Sequence, residues 1–239
     1  MKSDILGIKF NNEPIDSLLG KIEGFIKGTG RHIVITANPE IIMLSKSDME
    51  FQHILEKADI ITADGVGIIL AAKILGLRKP ARVAGIDLVS ALFARSANKG
   101  FKIFLLGAKE GIAEKAKINI EKNYPDIRIV GVHHGYFDKE DEIINQIKKV
   151  NPDILLVAMG MGRQEKWIWA NKDRLGCHVY IGVGGSFDVM AGVAKRAPLW
   201  MQKAGLEWFF RLIKEPTRIG RMLVLPKFLV RVIIERIRR

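Results

Sequence analysis

Apolar residues along this chain gather into short runs, and amphipathic stretches separate one run from the next. Runs at 32–36, 59–62, 101–106, 128–132, 154–158 and 177–183 carry the aliphatic and β-branched side chains of strands. The stretches 110–123, 139–150 and 163–174 repeat apolar residues at helical spacing. Ile103-Phe104-Leu105-Leu106 and Ile154-Leu155-Leu156-Val157-Ala158 show no polar alternation, which predicts strands covered by helices on both faces. The alternation predicts an α/β fold with a doubly wound, mainly parallel, Rossmann-like sheet. Ligands of such sheets bind outside the carboxyl ends of the strands.

Near Pro198 the pattern changes. Leu199, Trp200, Leu206, Trp208, Phe209, Leu212, Leu223, Phe228, Val232 and Ile233 follow with helical spacing and no strand between them. This divides the chain into an α/β domain over 1–195 and a helical appendage over 196–239. Pro216 and Pro226 are expected to break the appendage into two or three helices. Charge sharpens the division. The net charge of the 239 residues is +12. The appendage holds 11 Lys or Arg against 3 Asp or Glu, a net of +8 that leaves only +4 on the first 195 residues. A basic amphipathic tail suits an anionic membrane surface or a nucleic acid, and charge alone does not choose. Trp200, Trp208, Phe209 and Phe210 fit a membrane surface, but they equally fit packing on the core or an oligomer interface.

No apolar stretch approaches the ~20 residues of a membrane span, and Met1-Lys2-Ser3-Asp4 reaches charge too early for a secretory leader. The single cysteine, Cys177, lies in an apolar run and reads as a buried structural thiol. The expected protein is peripheral or freely soluble.

Five strand ends share a chemistry of small residues, glycine and a polar group. They are Thr36-Ala37-Asn38-Pro39, Thr62-Ala63-Asp64-Gly65, Leu106-Gly107-Ala108, Met159-Gly160-Met161-Gly162-Arg163-Gln164 and Gly182-Val183-Gly184-Gly185-Ser186-Phe187-Asp188. Glycines there let backbone N–H groups approach phosphate oxygens at helix N-termini, so a nucleoside diphosphate suits the set. Singly, each loop reads equally well as turn geometry. Gly182-x-Gly184 places Phe187 where a dinucleotide fingerprint has its third glycine, and no P-loop motif occurs. No Asp-x-Asp pair sits at a strand end, and His133-His134 lacks partners at metal-ligand spacing. Asp138-Lys139-Glu140-Asp141-Glu142 reads as a solvated first helical turn.

Together the strand-end motifs resemble the WecG/TagA/CpsF glycosyltransferase family (glycosyltransferase family 26). The matching pieces are Thr36-Ala37-Asn38-Pro39-Glu40, Ala63-Asp64-Gly65-Val66-Gly67, Arg82-Val83-Ala84-Gly85-Ile86-Asp87 and Gly160-Met161-Gly162-Arg163-Gln164-Glu165-Lys166. Gly182-Val183-Gly184-Gly185-Ser186-Phe187-Asp188 and Lys195-Arg196-Ala197-Pro198 complete them.

With no metal motif in the sequence, neither metal nor cofactor is expected. The resemblance implies an inverting transferase with a UDP-sugar as substrate. It would move N-acetylmannosamine to the 4-hydroxyl of GlcNAc on undecaprenyl diphosphate, in wall teichoic acid linkage-unit synthesis. Another UDP-sugar donor, such as UDP-N-acetylmannosaminuronic acid, remains open. Because that acceptor stays in the bilayer, the tail becomes the membrane anchor and the enzyme a peripheral one on the cytoplasmic face. Asp64, a carboxylate at a strand end, is the expected general base; its alternative is to cap the helix starting at Val66. Thr36, Asn38, Arg82 and Gln164 match family positions and would bind the sugar or the acceptor diphosphate, although Arg82 could instead only pair with Asp87. Gly107, Tyr136, Gly162, Gly184, Gly185 and Asp188 are assigned to uridine diphosphate, Tyr136 stacking on uracil unless it is a core residue.

Arg211, Arg218 and Arg221, spaced by seven and three residues, would share a helix face and fold over the leaving diphosphate, or else simply face lipid. A nucleotide- or RNA-binding module is the reading from another class. The absence of an RNP1-like aromatic motif weighs against nucleic acid. A purely structural peripheral protein is the third, and the polar strand ends weigh against it. The oligomeric state stays open.

Overall fold

In the computed structural model the described residues run from 2 to 238, those at 218, 221 and 222 as backbone only. All six apolar runs become strands: β3 (His32–Ala37), β4 (Ile60–Ala63), β5 (Lys102–Gly107), β6 (Arg128–His133), β7 (Ile154–Ala158) and β8 (Val179–Gly182). They form one parallel sheet in the order β4-β3-β8-β7-β5-β6. An antiparallel hairpin precedes it, β1 (Lys2–Ile5) and β2 (Ile8–Asn11), which the apolar pattern does not announce. Its two-residue turn is Leu6-Gly7, both at positive φ (53° and 82°), not the Asn-Gly or Asp-Gly pair that flags such turns. Asn11 serves the larger sheet by accepting a bond from Ile61 N on the edge strand β4 at 3.0 Å.

Side chains along each strand alternate between two apolar layers. Ile103 and Leu105 join one, with the buried faces of α1 (Ile15–Lys27), α5 (Gly85–Lys99), α6 (Ile112–Asn123) and α9 (Ser186–Met190). Phe104 and Leu106 join the other, with α2 (Pro39–Ser45), α3 (Met49–Lys57), α4 (Val66–Ile74), α7 (Glu140–Val150) and α8 (Arg163–Leu175). The helix after β8 departs to one layer while those after its neighbours β3 and β7 depart to the other. The crevices flanking the end of β8 are therefore topological switch points, where doubly wound sheets bind ligands.

Beyond Pro198 come α10 (Leu199–Lys203), α11 (Glu207–Lys214), a 3₁₀ turn (Pro216–Arg218), α12 (Ile219–Met222) and α13 (Val224–Arg238). That is more pieces than the two or three expected. Pro216 does end the run that begins with α11. Pro226 does not break anything, because it lies in the first turn of α13, where a missing N–H costs no helical bond. α13 packs on α2 and α4 and sends Phe228 and Val232, both fully buried, into the layer of those helices. Each such burial stabilises the docking by about 2 kcal/mol. α11 buries no residue, and Trp208, Phe209 and Ile213 stay exposed on it. Among the described residues no helix is long and apolar enough to cross a membrane.

Candidate functional site

The ends of β3 and β4 and the beginning of α11 enclose a pocket. Asn38, Pro39 and Glu40 line it from the first loop, and Asp64, Gly65, Val66 and Gly67 from the second. Arg82 comes from the segment before α5, Gly205, Glu207, Trp208 and Arg211 from the appendage, and Leu225 from α13. The segment 216–222 does not continue α11, so the seven-and-three spacing of Arg211, Arg218 and Arg221 does not place them on one helix face. Arg211 lines the pocket; the side chains of Arg218 and Arg221 lie outside the described residues.

Asp64 does not cap α4, whose first turn has no side-chain cap. Its Oδ2 reaches across to accept the N–H of Gly85 at 3.2 Å, at the positive end of α5. Burial raises its pKa above the usual carboxylate value, against the lowering effect of the Gly85 bond, Arg211 and Arg82. A Cβ on Gly85 would stand 2.7 Å from Thr36 Oγ1, so the glycine keeps Thr36 beside Asp64's anchoring point. Asn38 caps α2 by accepting from Ile41 N at 3.0 Å while lining the pocket.

Arg82 pairs not with Asp87 but with the appendage. Its guanidinium donates to Glu207 Oε2 at 2.8 Å and to the carbonyl of Gln202 at 2.6 Å. Glu207 also accepts from Arg196 Nε at 3.2 Å, and Arg196 forks onto both oxygens of Asp87. The alternation Arg82, Glu207, Arg196, Asp87 is a charged clamp that closes α11 over the pocket. Asp87, Arg196 and Glu207 were invisible as a set in the sequence. The signals that existed were Asp87 and Arg196 in two separate motifs, and an acid, Glu207, amid a cluster of cations.

The other half of the edge is made of backbone. Gly107 has φ 133°, and a Cβ on it would meet Ala158 O at 2.4 Å, so only glycine fits. Ala108 N donates to Ala158 O at 2.7 Å and Gly135 N to Ala108 O at 2.9 Å, which joins the loops after β5, β6 and β7. Arg163 donates to the carbonyl of Gly135 at 3.0 Å and lies over the ring of Tyr136. Tyr136 is 64 % exposed, which sets aside its core reading. Gly162 and Gly184 adopt positive φ, and Gly185 and Asp188 open α9 beside them. Gln164 differs from expectation: only 4 % exposed, it spends its amide on Gly184 N and Glu165 rather than facing the pocket.

Comparison with known proteins decides the relationship. The sequence matches the Glycosyl transferase WecG/TagA/CpsF family over residues 3–239. The chain belongs to this family. It is 35 % identical over 234 residues to a Staphylococcus aureus (strain MW2) protein named N-acetylglucosaminyldiphosphoundecaprenol N-acetyl-beta-D-mannosaminyltransferase, a match covering 97 % of this chain and 92 % of that one. The protein of the same name from strain NCTC 8325 / PS 47 matches at the same identity and coverage, and that from strain MRSA252 at 34 %. As a WecG/TagA/CpsF glycosyltransferase the chain carries its family motifs on both halves of the edge. Arg82-Val83-Ala84-Gly85-Ile86-Asp87 gains a physical account: Arg82 and Asp87 grip the appendage, and Gly85 holds Asp64.

Proposed function

We propose that this glycosyltransferase moves N-acetylmannosamine from its UDP donor to the 4-hydroxyl of GlcNAc on undecaprenyl diphosphate. The observation that carries the reading is a carboxylate, Asp64, in a pocket shared with Arg82 and Arg211, beside glycine loops at a switch point. The similarity to the S. aureus transferases supports the sugar and the acceptor. Asp64 takes the proton of the acceptor hydroxyl as its oxygen attacks C1 of the donor sugar. The C1–O bond to UDP breaks with its electron pair leaving on the diphosphate, and the sugar carbon inverts. Arg211, and Arg82 once Glu207 shares it, supply positive charge toward the departing diphosphate without a metal ion. The backbone half of the edge receives UDP, with Tyr136 stacking on uracil.

The exposed Leu199, Trp200, Phe209, Ile213 and Ile219, set among cations, rest on the anionic cytoplasmic leaflet, which brings the pocket to a lipid-linked acceptor. The test is a donor screen: UDP release from several UDP-sugars with a GlcNAc-diphospho-lipid present. UDP-N-acetylmannosamine should give the fastest acceptor-dependent release, and a faster rate with another UDP-sugar would overturn the donor assignment.

A further inference from the structure

Beneath the glycine loops runs a polar chain that holds no cation. Gln164 and Glu165 occupy the first turn of α8 and are 4 % and 1 % exposed. Gly162 N donates to Glu165 Oε2 at 2.7 Å, Gln164 Nε2 donates to Glu165 Oε1 at 2.8 Å, and Gly184 N donates to Gln164 Oε1 at 3.0 Å. The Gly184 N–H can only donate, so it fixes the Gln164 amide with its carbonyl toward Gly184 and its NH2 toward Glu165. Both Glu165 oxygens therefore face donors, which suits the ionised form. Burial pushes its pKa up, and the bonds from Gln164 and Gly162 oppose that push.

A helix cap accounts for only part of this. The Gly162–Glu165 bond closes the first turn of α8, but the Gln164 arm leaves that helix for the loop after β8. The pair is also wedged in place. A Cβ on Gly182 would stand 2.5 Å from Gln164 Nε2 and 2.9 Å from Glu165 Oε1. Neither side chain reaches the crevice, yet each holds a glycine N–H that borders it. An unpaired buried carboxylate is costly, so the chain spends stability on joining these two loops.

We infer that Glu165 is a positioning residue for the donor diphosphate: it holds the β7–α8 loop through Gly162 and the β8–α9 loop through Gln164 and Gly184. This rests on the reading of the backbone half as the UDP site. The chain has a direction, from Gly184 through Gln164 to Glu165, and the direction makes it testable by exchange.

Glu165→Gln sets two NH2 groups against each other, or turns the Gln164 carbonyl away from Gly184. Gln164→Glu sets two carboxylates against each other. In the double variant Gln164→Glu/Glu165→Gln every donor finds an acceptor again. The carboxylate at 164 accepts from Gly184 and from the new amide, whose carbonyl accepts from Gly162.

UDP affinity by calorimetry, KM for donor and for acceptor, and thermal melting should be measured on all four proteins. Each single change should weaken UDP and raise the donor KM about tenfold, with the acceptor KM unmoved, while the double variant recovers to within about threefold. Unchanged UDP affinity in both single variants, or a double variant that melts normally and binds no better than they do, overturns the inference. Wild-type protein that binds no UDP overturns the donor-site reading itself, an outcome distinct from failure of the exchange.

Discussion

The two halves of the carboxyl edge are built from different materials. Around β3 and β4 the pocket is a matter of side-chain charge: Asp64, Arg82, Glu207 and Arg211, two of them delivered by a helix remote in sequence. Around β5 to β8 it is backbone, with N–H groups and carbonyls brought close by glycines such as Gly107. Charge placed on side chains can be moved, covered or exchanged. Backbone placed by the sheet is fixed once the strands pair. The first half suits the step in which a proton and a leaving group change hands, and the second suits holding a diphosphate whose shape does not change. Changes in the charged half should therefore alter rate, and changes in the glycine half should alter binding.

The largest effect belongs to Asp64→Asn. It keeps the shape and can no longer take a proton, so kcat should fall by about 10³ while the KM for donor stays within about twofold. The raised pKa of Asp64 carries a second consequence. The folded chain binds this proton more tightly than the unfolded chain does, so stability falls as pH rises from the ordinary value of 3.8 through the folded one. Above its folded pKa the protein carries a charge its surroundings disfavour. Asp64→Asn should then melt at a higher temperature than wild type, a gain in stability coupled to a loss of turnover. The acid limb of kcat/KM should lie above pH 3.8 and report this group. A rate reduced only slightly would remove Asp64 as the base.

Gly107→Ala tests the other half. Its new methyl meets the Ala158 backbone, and φ 133° is closed to alanine. The two together should cost about 3 kcal/mol. The β5 and β7 ends would have to part, so UDP binding should weaken far more than kcat at saturating donor. A variant with lowered kcat and wild-type UDP affinity would erase the division of labour between the halves.

These halves were unequally legible in the sequence. The glycine loops were visible as strand-end motifs because strand ends converge whatever the order of strands, although their bonds, such as Ala108 N to Ala158 O and Gly135 N to Ala108 O, run between loops. In the charged half the sequence pointed to Asp64, Asn38, Arg82 and Arg211, the last through a helix-face argument that the break after α11 removes. Glu207 is 125 residues from Arg82, and Arg196 is 109 from Asp87, so the clamp exists only once the appendage has docked. The docking rests on Phe228 and Val232, which in sequence look like the apolar residues that remain exposed on α11. Gln164 is ambiguous for a related reason: a polar residue at a strand end points to a ligand or into the protein, and spacing does not reveal that this one is buried against Gly184 N and Glu165.

Glu207→Gln breaks the clamp without changing its volume. Arg82 keeps its bond to the Gln202 carbonyl, and Arg196 keeps Asp87. Loss of the shared charge should cost about 1–2 kcal/mol of docking, since the pairs are partly exposed. The expected outcome is kcat/KM for the acceptor lowered about tenfold, with faster proteolysis near Gly205. UDP affinity should hold, because the bonds of Glu207 go to Arg82 and Arg196 and not to the proposed UDP loops. A rise in turnover would instead make Glu207 a competitor of substrate for Arg82.

The smallest structural effect should come from the outer face of α11. Phe209 is 43 % and Ile213 58 % exposed, one turn apart on a helix that buries nothing. Changing both to serine removes apolar surface that the fold does not use, so melting should shift by no more than about 1 °C. Binding to vesicles with an anionic lipid fraction should weaken about thirtyfold, because roughly 1 kcal/mol of apolar burial is lost at each of the two positions. Transfer to a soluble GlcNAc-diphosphate acceptor with a short chain should be unaffected, while transfer to the undecaprenyl acceptor in vesicles falls with binding. If the double change lowers both rates equally, this face acts on the pocket rather than on the bilayer. The charged half would then extend through α11 to its far side.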